Sequence, residues 1–442
     1  MKTMRLIVAF SWAALSTLSL LASTDRQPDL LGRVTNEDDS PVSKATVFIY
    51  TAGPKTGTAV VCPSCYPDCH KKAQTDADGR FKIGSLDPKL LFRLLVVAAG
   101  HESTFVTKVD PALGAPKVTL KRLSQDVLKS NTRIAGMVMD EEGKPVIGAV
   151  ISPEGVQRGS GTQWGGTDEY VDAVAVADDQ GRFVLLCKKE IQTVHATVEG
   201  NNVAKRWVAL TPGKDHLIRM QEGVAVTGRI VRNGQPLSGV AVGLVTKDRV
   251  CGNCLRCDTL ATDKEGRFIL GNVPPEREFV LYATMDSLRN KGGVESRIFT
   301  TGKTGTTLDL GKLETKPTHR LAGRVVLSDG KPVPPETRLF LGREDAWDHT
   351  EATLDADGHF EFQGVPAESV GLSVRIKGYK FSKRNPSLDW LNGGIVGRVT
   401  RDMTDLTLLM EPGEWRHNRE EEDAPANIER QPRNLPLRGL KL

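Results

Sequence analysis

Beyond its first 23 residues the 442-residue chain has no apolar run long enough to cross a membrane, so no membrane span is expected. Strong charge of one sign is also missing. The chain carries 59 Lys+Arg against 55 Asp+Glu, a formal net charge of +4, with no basic stripe and no acidic block. That balance argues against a nucleic-acid partner. No amphipathic helical period of about 12 residues follows the N-terminal segment. Catalytic signatures are scarce as well. There is no Gly-x-Ser-x-Gly elbow. Gly302-Lys303-Thr304 resembles the end of a phosphate loop, but Arg297 stands where that motif requires glycine. The only His-x-x-Glu, His417 to Glu420, lies in a charged tail with no fold around it. The Asp-x-Asp-Gly runs fail as calcium loops. With Gly79 or Gly358 at the sixth position, the twelfth is Ser85 or Gly364 rather than a bidentate Glu. No enzyme activity and no cofactor are expected.

Lys2 and Arg5 precede a largely apolar stretch, Leu6 to Ala22, and small Ala22 and Ser23 then lead into polar Thr24-Asp25-Arg26. This reads as a secretory signal over residues 1–23. No cysteine follows the apolar run, so a lipoprotein anchor is not expected. Loss of Lys2 and Arg5 would leave 57 basic residues against 55 acidic ones. The expected location is secreted, periplasmic or cell-surface.

One pattern is written four times. Gly32-Arg33-Val34, Gly136-Met137-Val138, Gly228-Arg229-Ile230 and Gly323-Arg324-Val325 open the units. A polar turn with proline follows each, at Pro41, Pro145, Pro236 and Pro332. Then comes an acidic or amide residue, glycine, a basic residue and phenylalanine: Asp78-Gly79-Arg80-Phe81, Gln180-Gly181-Arg182-Phe183, Glu265-Gly266-Arg267-Phe268 and Asp357-Gly358-His359-Phe360. A period of roughly a hundred residues is a domain, not a solenoid rung. Apolar residues alternate within the units, as at Phe92, Leu94, Val96 and at Val370, Leu372, Val374, Ile376, which is the period of a half-buried strand. Glycine in the turn supplies a positive φ between two such strands. The prediction is an all-β chain of four tandem Greek-key β-sandwiches over residues 30–123, 132–223, 224–316 and 319–413, with a disordered tail over 414–442.

Gly-x-Val, a turn, Pro-Val-x-x-Ala-x-Val, Asp-Gly-x-Phe and a closing Gly-His or Gly-Tyr together resemble the carboxypeptidase regulatory-like domain. Repeat one matches through Pro41-Val42, Ala45, Val47, Thr75 to Phe81 and Gly100-His101, and repeat four through Asp355 to Phe360 and Gly378-Tyr379. Repeats two and three match more loosely. The resemblance covers residues 30 to about 413 and implies a transthyretin-like sandwich of about seven strands per repeat. It specifies a fold rather than an active site.

The units differ in the loop between an early strand and the acidic turn. Repeat one has Cys62, Cys65, Cys69 and His70 there, and repeat three has Cys251, Cys254 and Cys257. Disulfide stapling suits an exported chain, although a trio closes one bond and leaves one sulfur. Tetrahedral metal binding suits Cys62, Cys65, Cys69 and His70, with Cys251, Cys254, Cys257 and Asp258 as a weaker set. A dithiol or haem role fits less well, because no βαβ pattern surrounds Cys62-Pro63-Ser64-Cys65 and Cys65-x₃-Cys69-His70 is one residue too long. Cys187 alternates with Phe183 and Leu185 and is expected as a buried thiol. The same loop carries Trp164 and Tyr170 in repeat two and Trp347 in repeat four. Such rings could stack on a sugar or fold back over their own sandwich. The expected function is an exported interaction, adhesion or scaffold module whose partner is a glycan or another exported protein. Carbohydrate binding through the aromatic loops, and metal or redox chemistry through the trios, are the alternatives.

Overall fold

The computed structural model describes residues 27–56, 66, 68–69, 71–114, 116–124, 126, 132–247, 254–255, 260–346, 348–382, 389–391 and 394–413, with backbone alone at 254–255, 389–391 and 394–396. The N-terminal apolar segment, the 414–442 tail, Trp347 and most of both cysteine trios lie outside these residues.

Repeat one contains β1 (Leu30–Asn36), β2 (Thr46–Pro54), β3 (Lys72–Gln74), β4 (Arg80–Ile83), β5 (Leu90–Val97), β6 (Thr104–Val109) and β7 (Lys117–Leu120). They form two sheets, ordered β4-β1-β7 and β3-β2-β5-β6. Repeat two contains β8 (Arg133–Met139), β9 (Val150–Arg158), β10 (Gly161–Trp164), β11 (Ala175–Val176), β12 (Arg182–Leu186), β13 (Thr193–Gly200), β14 (Val203–Leu210) and β15 (Asp215–Arg219). Its sheets run β12-β8-β15 and β10-β9-β13-β14, with β11 also on β9. Repeat three contains β16 (Val224–Arg232), β17 (Gln235–Pro236), β18 (Val242–Thr246), β19 (Cys254–Leu255), β20 (Arg267–Val273), β21 (Glu278–Ala283), β22 (Arg297–Thr300) and β23 (Thr307–Glu314). Its sheets run β17-β16-β20, with β23 also on β16, and β19-β18-β21-β22. Repeat four contains β24 (His319–Leu327), β25 (Arg338–Arg343), β26 (His349–Thr353), β27 (His359–Val365), β28 (Ser369–Val374), β29 (Tyr379–Phe381), β30 (Asp389–Leu391), β31 (Gly394–Arg398) and β32 (Met403–Pro412). Its sheets run β27-β24-β32-β29 and β26-β25-β28-β31-β30. The architecture is therefore tandem β-sandwiches, as the sequence pattern predicts.

In each repeat the first strand sits at the centre of one sheet. It pairs antiparallel with the strand after the acidic turn and parallel with the last long strand. That register explains the repeated words. The opening glycine lies directly across from the phenylalanine: Gly32 from Phe81, Gly136 from Phe183, Gly228 from Phe268 and Gly323 from Phe360. At Gly32, Gly136 and Gly228 the ring covers the glycine and fills space a side chain would take, whereas at Gly323 Leu406 takes that place. A Cβ on Gly32 would lie 2.3 Å from Phe81 Cζ, and one on Gly228 2.5 Å from Phe268 Cζ. Aromatic cover of a strand glycine repairs the packing that glycine leaves open.

The acidic turn is equally uniform. Asp76, Asp178, Asp263 and Asp355 each accept hydrogen bonds at Oδ1 from the backbone N–H groups two and four residues on, at 2.8–3.0 Å. Three residues after each aspartate comes glycine at φ +73 to +80, pressed on the first strand's backbone. A Cβ on Gly79 would meet the Val34 carbonyl oxygen at 2.3 Å. The turn thus needs both a left-handed residue and one without a side chain.

The inner faces of each sheet pair enclose separate cores, centred on Phe92 and Leu94 in repeat one, Ile134 and Leu185 in repeat two, Phe279 and Leu281 in repeat three, and Leu372 and Phe381 in repeat four. Phe92 and Phe381 are among the largest fully buried side chains, and burial of such rings stabilises each sandwich by about 1.5–3 kcal/mol per side chain. No helix among the described residues is long and apolar enough to cross a membrane.

Candidate functional site: the variable loops and the junctions they form

The loop that varies between repeats was the expected place for chemistry. In repeats two and four part of this loop lies at a junction with the preceding repeat. Ala173 and Val174, which follow the Trp164 and Tyr170 loop, pack on Phe48, Tyr50, Leu95 and Val97, the outward side chains of β2 and β5 in repeat one. Asp168 of the same loop lies 3.6 Å from Arg93 of β5, whose guanidinium covers the Phe105 ring at 3.7 Å. Asp172 accepts from Ser103 Oγ of repeat one at 3.2 Å and from its own Leu186 N–H at 2.9 Å. Burial raises the Asp172 pKa above the ordinary carboxylate range.

Repeat four meets repeat three in the same manner. Ala346 packs on Val245, Val280 and Tyr282, the outward residues of β18 and β21. The centre of this junction is Arg343, whose side chain is 1% exposed. Its position follows from strand alternation. Leu339 and Leu341 point inward on β25, and Arg343 takes the next inward place at the strand's end. Its Nε and Nη2 donate to the two oxygens of Glu368 at 2.9 and 3.0 Å. Its Nη1 donates to Asp348 Oδ2 at 3.2 Å and to the Ala283 carbonyl at 2.8 Å. Nη2 also reaches the Val294 carbonyl and Ser296 Oγ, both at 3.0 Å. Three of these acceptors belong to repeat three. The carboxylates return bonds across the junction: Asp348 accepts from the Met285 N–H at 3.0 Å, and Glu368 from the Ser296 N–H and hydroxyl.

The electrostatics follow from one cation between two buried carboxylates. Burial opposes the Arg343 charge, but the bonds and charge of Glu368, with the charge of Asp348, outweigh it and raise its pKa. Glu368 holds the paired geometry, so Asp348 is the surplus negative charge. Burial pushes its pKa up to about 6 in spite of Arg343. His349 beside it is held below its ordinary pKa by burial. Sequence reasoning singled out only Trp347 in this loop and missed Arg343, Asp348 and Glu368. The available signal was a charged residue continuing the inward alternation of β25.

The individual site residues are placed as follows. Tyr170 is 8% exposed and belongs to the core of repeat two, with Arg158 and Lys189 over its ring at 4.9 and 4.5 Å. Of the two placements expected for this ring, it takes the one folded back into its own sandwich. Trp164 is half-buried, lies on the Gly155 backbone and packs on His195 at a ring distance of 5.2 Å. Trp347 lies outside the described residues, between buried Ala346 and Asp348. Of the trios, Cys62, Cys65, His70, Cys251 and Cys257 also lie outside them, and Cys254 is described by backbone alone, paired with Val245. Cys69 is fully buried in the repeat-one core with Tyr66. Phe340 of repeat four packs against that same core, and Arg338, Glu351 and Arg375 of repeat four act on the Tyr66 hydroxyl electrostatically. Tyr66 and the adjoining repeat-one core therefore lie against repeat four. Cys187 is half-buried, and burial, then the Asp172 charge, raises its pKa to about 11.

Among the described residues one group has metal-ligand spacing, exposed Asp355, Asp357 and His359. Asp355 Oδ1 is already engaged by backbone donors, and its Oδ2 lies 3.1 Å from His359 Nδ1.

No protein-family model and no curated protein matches the chain. Solved structures with some likeness include a streptococcal ancillary pilin at 11% identity, covering 64% of this chain and all of that one, with a TM-score of 0.23. GBS52, the minor pilin of Streptococcus agalactiae, is 12% identical over 44% of this chain and 98% of its own, with a TM-score of 0.22. The Bacillus anthracis TIE protein is 10% identical over 89% of this chain and 76% of its own, with a TM-score of 0.18.

Proposed function

We propose that this protein is an exported, non-enzymatic scaffold in which tandem sandwiches, of the regulatory-like type its motifs resemble, act as a stiff spacer and interaction module. The observation that carries this reading is the Arg343 junction. A guanidinium with bidentate carboxylate bonding and two inter-repeat carbonyl bonds is a costly way to join domains that only need a tether. It suits a chain that must hold two sandwiches at one angle. The Ala173 and Val174 contact, with the Arg93 and Asp168 pair beside it, does the same for repeats one and two. The variable loops of repeats two and four serve these junctions. The cysteine trios would close their loops by disulfides in an oxidising compartment.

Two measurements test the proposal together. Fractionation of the source cell should place the chain in the exported fraction with its N-terminus near Thr24. Small-angle scattering of that purified chain should give one profile that fits a single rigid arrangement. A cytosolic chain retaining residues 1–23, or a scattering profile that requires freely pivoting domains, would overturn it.

A further inference from the structure

The sheet β4-β1-β7 of repeat one turns a row of cations to solvent. Arg33 on β1 lies directly across from Arg80 on β4 and from Lys117 on β7. All three side chains are exposed, and Lys82, paired across from exposed Leu31, extends the row. Like charges directly opposite one another on a sheet face are destabilising. Repeat three nevertheless builds the same row: Arg229 lies across from Arg267 and from Lys312. Repeats two and four do not, having Arg182, Met137, Leu217 and His359, Arg324, Thr407 at the matching places.

The central arginine is held alike in both rows. Arg33 Nε donates to the Asp78 carbonyl at 3.0 Å, and Arg229 Nε to the Glu265 carbonyl at 2.6 Å. Among the described residues neither has a carboxylate within ion-pair distance, although the Arg33 charge acts on Asp39. The flanking cations of repeat one do have partners, Arg80 with Asp78, Lys117 with Asp39 and Lys82 with Asp29, but these bridges are solvent-exposed and weakly held. The row lines an open groove of about 840 Å³ that also takes in Leu31, Gln74, Asp76 and Pro116. That volume is typical of a ligand site.

Going beyond the scaffold reading, we infer that the Arg80-Arg33-Lys117 groove binds the acidic groups of an anionic polysaccharide, with the Arg229 row as a second contact on the same polymer. A sheet face offers no free backbone donors, so recognition rests on side-chain N–H groups and on the apolar floor at Leu31 and Pro116. Two rows of matching register in one chain, the second with Arg229 half-buried and Arg267 paired with Asp263 and Glu265, fit a ligand that repeats its charge, and two engaged sites raise the apparent affinity of a polymer over that of its monomer.

The test uses the full exported chain and immobilised polygalacturonate or dextran sulfate at low salt, with neutral dextran as control. Binding of a polyanion but not dextran is expected, weakening steeply with salt. Arg33→Gln and Arg229→Gln should each weaken binding about tenfold, the loss of one charge-assisted contact, and the double variant more. Arg33→Lys should retain most of it. Preference between the two polymers separates carboxylate from sulfate as the bound group. Unchanged thermal unfolding of the variants excludes misfolding. The inference is overturned by no polyanion binding, by binding insensitive to both Gln variants, or by equal binding of poly-glutamate, which would make the ligand an acidic peptide. The scaffold proposal stands or falls on its own measurements.

Discussion

Arg343 and Glu368 meet through two parallel hydrogen bonds at 2.9 and 3.0 Å, out of water, at the seam between the third and fourth repeats. Removing one partner leaves the other as an uncompensated buried charge. Arg343→Met should therefore destabilise by about 3–5 kcal/mol. Urea unfolding measures the loss. Arg343→Met combined with Glu368→Leu and Asp348→Leu should recover much of it. A single Met variant as stable as wild type would show that the seam is solvated.

Asp348 makes the seam pH-sensitive. Its folded pKa, about 6, lies above the ordinary aspartate value of about 3.9. The folded state thus holds the proton more tightly, and this contribution is full below about pH 4 and is lost as pH rises through 6. The stability of wild type relative to Asp348→Asn should fall between pH 4 and 7. Chemical denaturation of both proteins at several pH values checks this. A flat difference would mean that Asp348 titrates normally.

The Gly32 and Phe81 pair should behave as one unit. Gly32→Ala would drive a methyl into the Phe81 ring, costing about 1–3 kcal/mol by overpacking. Phe81→Ala should cost about 3–5 kcal/mol through the cavity it leaves. The double variant should cost less than the sum, since the methyl then enters the vacated space. A double-mutant cycle on thermal unfolding gives the coupling, and strict additivity would show the contact to be incidental.

The acidic turn offers a separate test. Asp76→Ala removes the acceptor of two backbone N–H groups and should cost about 1–2 kcal/mol. Asp76→Asn, which keeps one acceptor oxygen, should cost less. Gly79→Ala should exceed both, because it meets strain at φ +73 and the Val34 carbonyl together.

Thiol chemistry distinguishes the cysteines. With its pKa raised to about 11, Cys187 is protonated at pH 8 and should alkylate slowly until the fold is opened. Thiol counting in denaturant with elemental analysis then reports on the trios. Oxidised trios without bound metal are expected. Zinc at one equivalent per trio would replace stapling by a metal site.

The sandwiches were legible in the sequence because their demands are local. A left-handed glycine, an aspartate that caps its own turn and a phenylalanine paired across from a glycine recur in each unit, so four copies of the motif spell four copies of the structure. The role of the variable loop was not legible. Tyr170 and Asp348 look like solvent-facing loop residues, but Tyr170 folds into the core of its own repeat, and Asp348 is interior where it meets Arg343 and the Met285 N–H of repeat three. The same limit hid Arg343, since an inward arginine is tolerable only where Glu368 and the Ala283 and Val294 carbonyls converge on it. The cationic rows depend on strand register across β1, β4 and β7, which lie far apart in the chain. Sequence alone thus determined the fold of each repeat through short-range backbone requirements. Tertiary structure decided which polar residues are buried and which charges share a face, because burial and charge proximity belong to pairs of surfaces rather than to either segment.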